Sequence, residues 1–236
     1  MSFIVIIACF AVQWFLNVSS AQYEWNWAEK YTQKMMSQKW GSLEKGHGLF
    51  TMLFLVLPIV IVVSLIFTIV YHTMGHIGYL ILSLFLLWYC TDITMLKKGA
   101  NAESSSDLFL KSYQKLFAPL LWYFVFGPVA LALYVVVATL RAQLPDQHYF
   151  VLTHGVLDWV PIRLVGLTFA LAGNFGAVFK IWVKELFQSV RDNQSQVVLF
   201  GDAALAADSD ALSLMHRTLL IWLVVMALIK IGSWFG

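Results

Sequence analysis

Residues 49 to 71 read LFTMLFLVLPIVIVVSLIFTIVY, 23 positions without an Asp, Glu, Lys or Arg. Wound as α-helix, this run extends about 34 Å, enough to cross a hydrocarbon core of about 30 Å. Residues 1 to 23 and 116 to 140 are free of the same four residue types. Shorter uncharged runs occupy residues 77 to 91, 164 to 179 and 218 to 229, the last continuing past Lys230 to Trp234-Phe-Gly236. Runs of about 15 residues also suit re-entrant or interfacial segments. The pattern predicts an all-α, polytopic helical membrane protein with about five to six membrane helices.

Composition agrees. Hydrophobic residues make up 60% of the chain and charged residues 12%, with a mean hydropathy of +0.76. A soluble domain carries about 25% charge. Disorder and an ordinary soluble globule are therefore excluded. The net charge is +2 and the basic residues are scattered, so nucleic acid is not an expected partner. Cys9 and Cys90 both fall in apolar runs and build no disulfide framework.

The first run lacks the basic n-region of a secretory signal, although Ser19-Ser20-Ala21 offers small residues after it. A retained first helix is expected. If all six runs cross, twelve of the fifteen basic residues share one side, leaving Arg141, Arg163 and Lys230 on the other. The positive-inside rule makes the richer side cytoplasmic and puts both termini outside. The expected organisation is one integral membrane domain over residues 1–236, with cytoplasmic loops at 24–46, 97–115 and 180–213 that carry amphipathic helices. Trp27, Tyr31 and Met35 mark one such interfacial helix, and Phe179, Trp182, Leu186 and Val190 another. No internal repeat supports an inverted-repeat transporter.

Motifs for chemistry are few. Gly41-Ser-Leu-Glu-Lys-Gly46-His-Gly48 starts like a phosphate loop but has His47 and Gly48 where Lys and Ser or Thr are needed. Ser112-Tyr-Gln-Lys115 fits a Ser-x-x-Lys pattern without its companion motifs and is set aside as chance. His72 and His76 have the four-residue spacing of metal ligands on one helical face, but two ligands make no site, so no metal is expected.

The most informative stretch runs from His154 through Asp158, Trp159, Pro161 and Arg163 to Gly166. Asp158 is expected just before a helix whose first turn holds Pro161, where its carboxylate caps free amides and pairs with Arg163. Charges at the membrane boundary are costly unless paired or facing a polar cavity. A helix cap with an ion pair and a ligand-binding role are both consistent with this pattern. Asn174, between Gly173 and Gly176, adds a polar group where helices approach closely. Pro119 and Pro128 should kink the helix that carries Trp122 and Tyr123. The candidate ligand or partner site is thus His154, Asp158, Trp159, Pro161, Arg163, Trp122, Tyr123 and Asn174. No residue is assigned as catalytic.

Three blocks in this region carry a family resemblance. Ala118-Pro-Leu-Leu-Trp122 resembles an Ala-Pro-Leu-Phe-Trp block, Gly127-Pro-Val-Ala-Leu-Ala-Leu-Tyr134 a glycine-rich segment ending in Tyr, and Leu157-Asp-Trp-Val-Pro-Ile-Arg-Leu164 a Leu-Asp/Asn-Trp-x-Pro-x-Arg-Leu block. All three resemble the AmpE family of bacterial inner-membrane proteins, relatives of the CobD/CbiB cobalamin-biosynthesis enzymes. The likeness runs from about residue 112 to 176. The Glu-Asn-Thr-Ser-Asp-Gly run that CobD/CbiB-type enzymes carry before the first block is replaced here by Ser112-Tyr-Gln-Lys-Leu-Phe117, which has no carboxylate. An ATP-dependent amide-forming enzyme needs carboxylates to hold magnesium. The resemblance therefore implies a multi-pass inner-membrane regulator or sensor associated with β-lactamase induction and cell-wall signalling. The alternative is a cobinamide-phosphate-synthase-type enzyme. Expected partners are the lipid bilayer, a cytoplasmic or membrane protein and a small ligand; the sequence names no cofactor.

Overall fold

The computed structural model describes residues 2–16, 30–31, 34, 48–97, 104–144, 148–186, 193–205 and 210–235. Among these residues all repetitive structure is helical and no strand occurs. The helices are α1 (Ser2–Leu16), α2 (Gly48–Cys90), α3 (Ser105–Ser112), α4 (Ala118–Phe126), α5 (Pro128–Gln143), α6 (His148–Ala172), α7 (Phe175–Glu185), α8 (Asn193–Ala204) and α9 (Ala211–Phe235). Of the interfacial helix expected around Trp27, Tyr31 and Met35, residues 30, 31 and 34 are described and helical, the Tyr31 hydroxyl donating to the Leu55 carbonyl at 3.2 Å; Trp27, Met35 and the glycines of residues 41–46 lie outside the described residues.

Helix α2 is not straight. Gly75 has φ 64° and ψ −151°, a backbone region open essentially to glycine alone. Phe67 and Tyr79 are twelve positions apart, a separation of about 18 Å along a continuous helix. Their ring centroids are 5.4 Å apart, so the chain folds back at Gly75 into two arms.

The same device recurs downstream. Gly127 has φ 82° and ψ −166°, and Trp122 and Tyr134, again twelve positions apart, stack at 6.4 Å. The run 116 to 140 is therefore not one membrane helix. A kink was expected at Pro128; instead the glycine before it takes a conformation no helix continues through, and α4 and α5 lie against each other. The hydroxyl of Tyr79 sits 3.9 Å from where a Cβ on Gly127 would stand, so the two reversals adjoin.

Helix α3 continues into α4 through a wide π-turn at Tyr113–Phe117, in which the Ala118 amide donates to the Tyr113 carbonyl. Proline at 119 explains the disturbance, because it has no N–H to give to the Lys115 carbonyl four residues earlier. That carbonyl accepts from the Asp92 amide at 3.1 Å instead. With the π-turn included, residues 105 to 126 form one helical rod of about 33 Å.

The run 164 to 179 is also interrupted. Gly173 packs so close to Ala204 that a Cβ would stand 2.3 Å from its carbonyl oxygen, and the Asn174 amide donates to that oxygen at 3.1 Å. Asn174 is thus not inside a helix: its side chain caps α7, accepting from the Ala177 amide at 3.2 Å. Within the expected loop 180–213, α8 is a core helix whose Val197 and Phe200 are fully buried.

The main core joins α1, the second arm of α2, the α3–α4 rod, α6, α8 and α9 through Ile6, Leu87, Phe109, Phe117, Phe169, Phe200 and Trp222. A second cluster, Leu55, Val56, Val136, Val137, Leu140 and Phe150, ties the first arm of α2 to α5 and the start of α6. The outside is also apolar, with Ile4, Phe15, Ile77 and Leu220 among many largely exposed side chains. Soluble monomers do not carry apolar surface on that scale. Met52–Cys90, His148–Ala172 and Ala211–Ser233 are long and apolar enough to cross a membrane by length and composition. Of these, α6 is the most enclosed by the protein, with 56% of its most apolar window buried against 17% and 33% for the other two.

Candidate functional site

Asp158 is the eleventh residue of α6, not its cap, and Pro161 is in mid-helix. The expectation of a helix start here assumed that proline marks a first turn. Enclosure of α6 by its neighbours sustains the helix through Pro161 instead. Deep in the protein, an aspartate must find its hydrogen-bond donors on other side chains.

It does so completely. Oδ1 of Asp158 accepts from the Tyr113 hydroxyl at 2.6 Å and from the Tyr134 hydroxyl at 2.9 Å. Oδ2 lies 3.0 Å from Nδ1 of His154, one helical turn earlier, and accepts from Gln194 Nε2 at 3.5 Å. Asp158, His154, Tyr113 and Tyr134 are all buried. Each donor comes from a different place: the π-turn, α5, α6 itself and α8. The widened turn sets the angular position of Tyr113 on its rod, and π-turns recur at functional sites.

Aromatic stacking extends the group. The His154 ring stacks on Tyr134 at 5.8 Å, and Tyr134 stacks on Trp122 at 6.4 Å. The indole Nε1 of Trp122 is buried and has no hydrogen-bond partner among the described residues. At the same Nδ1 of His154 that faces Asp158, a guanidinium nitrogen of Arg141 lies 3.4 Å away. From Asp158 the polar chain runs through Gln194 to the exposed pair of Gln194 and Gln114, 3.1 Å apart.

Arg163 does not pair with Asp158. Five helical positions turn it to another face, where it donates to the carbonyl of Glu185 at 2.9 Å, to that of Leu186 at 3.5 Å, and to Gln196 Oε1. A cation on the carbonyls at the end of α7 satisfies groups that the helix leaves unpaired. Trp182 Nε1 returns a bond to the Arg163 carbonyl at 2.8 Å, and the Trp159 ring lies 5.6 Å from the guanidinium. Arg163, Trp159 and Trp182 thus form a separate brace that holds α7 on α6.

Of the residues marked in the sequence, His154, Asp158 and Trp122 come together. Tyr123 is buried in the main core, and Asn174 caps α7; neither bonds to the Asp158 group. His72 and His76 are exposed, and the break at Gly75 between them removes the shared helical face. Each instead packs against the ring of Tyr71, at 6.0 and 5.2 Å. No group of three metal-ligating side chains occurs among the described residues.

Sequence reasoning missed Tyr113, Arg141 and Gln194 as members of the site, and saw Tyr134 only as the end of a block. Tyr113 sits inside the Ser112 to Lys115 stretch set aside as chance. No local signal marks Arg141 or Gln194, because they reach the site from helices distant in sequence. No family model, curated protein or solved structure matches this chain.

Proposed function

We propose that this chain is a multi-pass inner-membrane regulator or sensor of the AmpE type, with the Asp158 group as its ligand- or partner-responsive site. The observation that carries the reading is convergence. Trp122, Tyr134 and Asp158 each belong to a different one of the three blocks that carry the resemblance, and the fold gathers them into one buried polar group. A fully hydrogen-bonded aspartate among helices is expensive to build and easily perturbed, which suits a two-state element better than a passive support.

The fold also suggests an arrangement in the bilayer that differs from six successive runs. Six segments cross: α1, the two arms of α2, the rod 105–126, α5 and α9. Helix α6 remains within the cytoplasmic half, since its start packs on Leu140 and Leu55, and the residues after its end lie against Ala204. The Gly75 and Gly127 reversals then face outward together. Arg141 moves to the cytoplasmic side with the loop lysines, and Lys230, over the Phe124 ring near Gly127, is the one basic side chain left outside. This distribution obeys the positive-inside rule more closely than the run-by-run topology does.

A magnesium-dependent amide-forming enzyme is less well supported. Both oxygens of Asp158 are already engaged by tyrosine, histidine and glutamine donors.

The test is a chromosomal Asp158→Asn exchange, with β-lactamase induction measured beside the amount of protein in the membrane. Altered induction at unchanged abundance is expected. Unchanged induction at full abundance would remove the regulatory reading.

A further inference from the structure

We propose that the outer face of α7 lies in the cytoplasmic headgroup layer, with Phe175, Phe179 and Val183 among acyl chains and Lys180 and Lys184 on anionic phospholipid headgroups. The inference rests on the bilayer arrangement proposed above and not on the regulatory role.

Helix α7 follows α6 across the turn at Gly173-Asn174 and presents three sectors. Its inner sector belongs to the protein. Val178 is fully buried, Ile181 and Trp182 pack on the main core, and Trp182 Nε1 donates to the Arg163 carbonyl at 2.8 Å. The sequence pattern points to Phe179, Trp182, Leu186 and Val190 as one row, but Trp182 is turned inward and Val190 lies outside the described residues. The row left outside is a different one. Phe175, Phe179 and Val183, four positions apart, are 50%, 39% and 49% exposed, and the rings of Phe175 and Phe179 stack at 5.1 Å. At about 100° per residue, side chains four apart share one narrow arc of the cylinder. Leu171, four positions before Phe175, is exposed as well.

The third sector is cationic. Lys180 and Lys184 are exposed and follow Phe179 and Val183 by one position each, which sets them beside the apolar arc, about 100° further round the helix. The other charged residue of α7, Glu185, is on the inner side, where its carboxylate accepts from Gln196 Nε2 at 3.5 Å. Protein, acyl chain and headgroup are the three environments around a helix that lies along a membrane surface, and the three sectors of α7 match them in turn. Water suits the lysines but not the exposed rings. A second protein would need an apolar groove rimmed by acids, whereas anionic phospholipid supplies tails and negative charge together, with lysine stems long enough to reach the phosphates. The arrangement proposed above puts α7 at the cytoplasmic leaflet, on the side of the loop lysines.

The experiment places photoreactive benzoylphenylalanine at position 179 of the full chain and, separately, at position 65, where Leu65 is exposed on the first arm of α2. Each protein is irradiated in nanodiscs of phosphatidylcholine mixed with phosphatidylglycerol, and the adducts are identified by mass spectrometry. Position 179 should give lipid adducts in which phosphatidylglycerol exceeds its bulk share by about 5-fold, the weight of one lysine near an anionic surface. Lys180→Gln combined with Lys184→Gln should return the ratio to the bulk value, and raised salt should lower it. Lipid adducts at 65 with none at 179, or a bulk ratio at 179 with both lysines present, overturn the proposal and leave the spans standing. An adduct from 179 to protein, whether another segment or a second copy of the chain, does the same. Absence of lipid adducts at both positions removes the bilayer arrangement and this inference with it.

Discussion

The hydroxyl of Tyr113 donates to Oδ1 of Asp158 over 2.6 Å, joining a π-turn to the middle of a helix 45 positions away in sequence. With Tyr134 on the same oxygen, the carboxylate ties three helical segments together inside the protein. Tyr113→Phe removes one donor from a buried acceptor that keeps its others, and should cost about 1 to 2 kcal/mol. Asp158→Ala strands two hydroxyls, an imidazole and an amide at once, and should cost about 3 to 5 kcal/mol. Reversible unfolding in mixed micelles measures both; equal losses would show that the hydroxyls do not depend on the carboxylate.

The two reversals should respond to a methyl group for a reason of backbone alone. A Cβ on Gly75 meets nothing within 4 Å, and one on Gly127 meets only the Tyr79 hydroxyl at 3.9 Å. Their positive φ, with ψ near the extended value, remains forbidden to alanine. Gly75→Ala and Gly127→Ala should each lower stability by about 1 to 3 kcal/mol. The measurement is thermal unfolding of the detergent-solubilised variants, and no loss at either position would mean that the arms do not fold back there.

Close approach, rather than dihedral, governs three other glycines. A Cβ on Gly166 would stand 2.6 Å from the Phe200 ring, and one on Gly201 2.3 Å from the Phe109 ring. At Gly173 the obstacle is the Ala204 carbonyl, which also receives the Asn174 amide. Rings can shift and backbone cannot easily do so. Gly173→Ala should therefore be the most damaging of the three, at more than the roughly 1 to 3 kcal/mol typical of overpacking. Comparing the three melting temperatures decides it, with Gly166→Ala lowest as the contrary outcome.

How much of this was legible in the sequence follows from what each feature depends on. Helix class and membrane-scale apolarity come from local composition, so runs such as residues 49 to 71 announced them. The reversals were half visible: Gly127-Pro128 was noticed as a kink, but a chain reversal depends on what the two arms bury against each other. Asp158 was singled out, but Arg163, its expected partner, bonds elsewhere. A cap position five residues before Arg163 suggested that pairing, whereas the partners are His154 one turn earlier and residues 113, 134 and 194, which only the packed fold brings near. Pro161 misled because its effect on a helix is overridden where the proline is itself buried against neighbouring helices.

Arg163 should behave as a brace and not as part of the Asp158 group. Arg163→Ala frees the Glu185 and Leu186 carbonyls and Gln196 Oε1, leaving only the Trp182 bond to the residue 163 backbone carbonyl, so amide exchange should accelerate through α7. Protection around Asp158 in α6 should change little. Lysine at 163 should not restore α7, since one ammonium cannot reproduce a planar fork across two carbonyls and Gln196. Exchange mapped by mass spectrometry reads both segments in one experiment, and faster exchange spread evenly over α6 and α7 would contradict the separation.

Sidedness offers the sharpest contrast between a run-by-run topology and the folded one. If residues 116 to 140 crossed as one helix, the chain after them would emerge opposite the 97–115 loop. In the arrangement proposed above, the reversal at Gly127 returns α5, which puts Gln143 on the same side as Lys111, and places His76, beside the other reversal, on the opposite side. All three side chains are exposed, so single-cysteine exchanges at His76, Lys111 and Gln143 report accessibility without disturbing the core. In intact cells, an impermeant maleimide should label the cysteine at 76 directly and those at 111 and 143 only after permeabilisation. Labelling at 143 from outside would mean that Gly127 does not turn the chain within the bilayer, and the placement of Arg141 and α6 in the cytoplasmic half would fall with it.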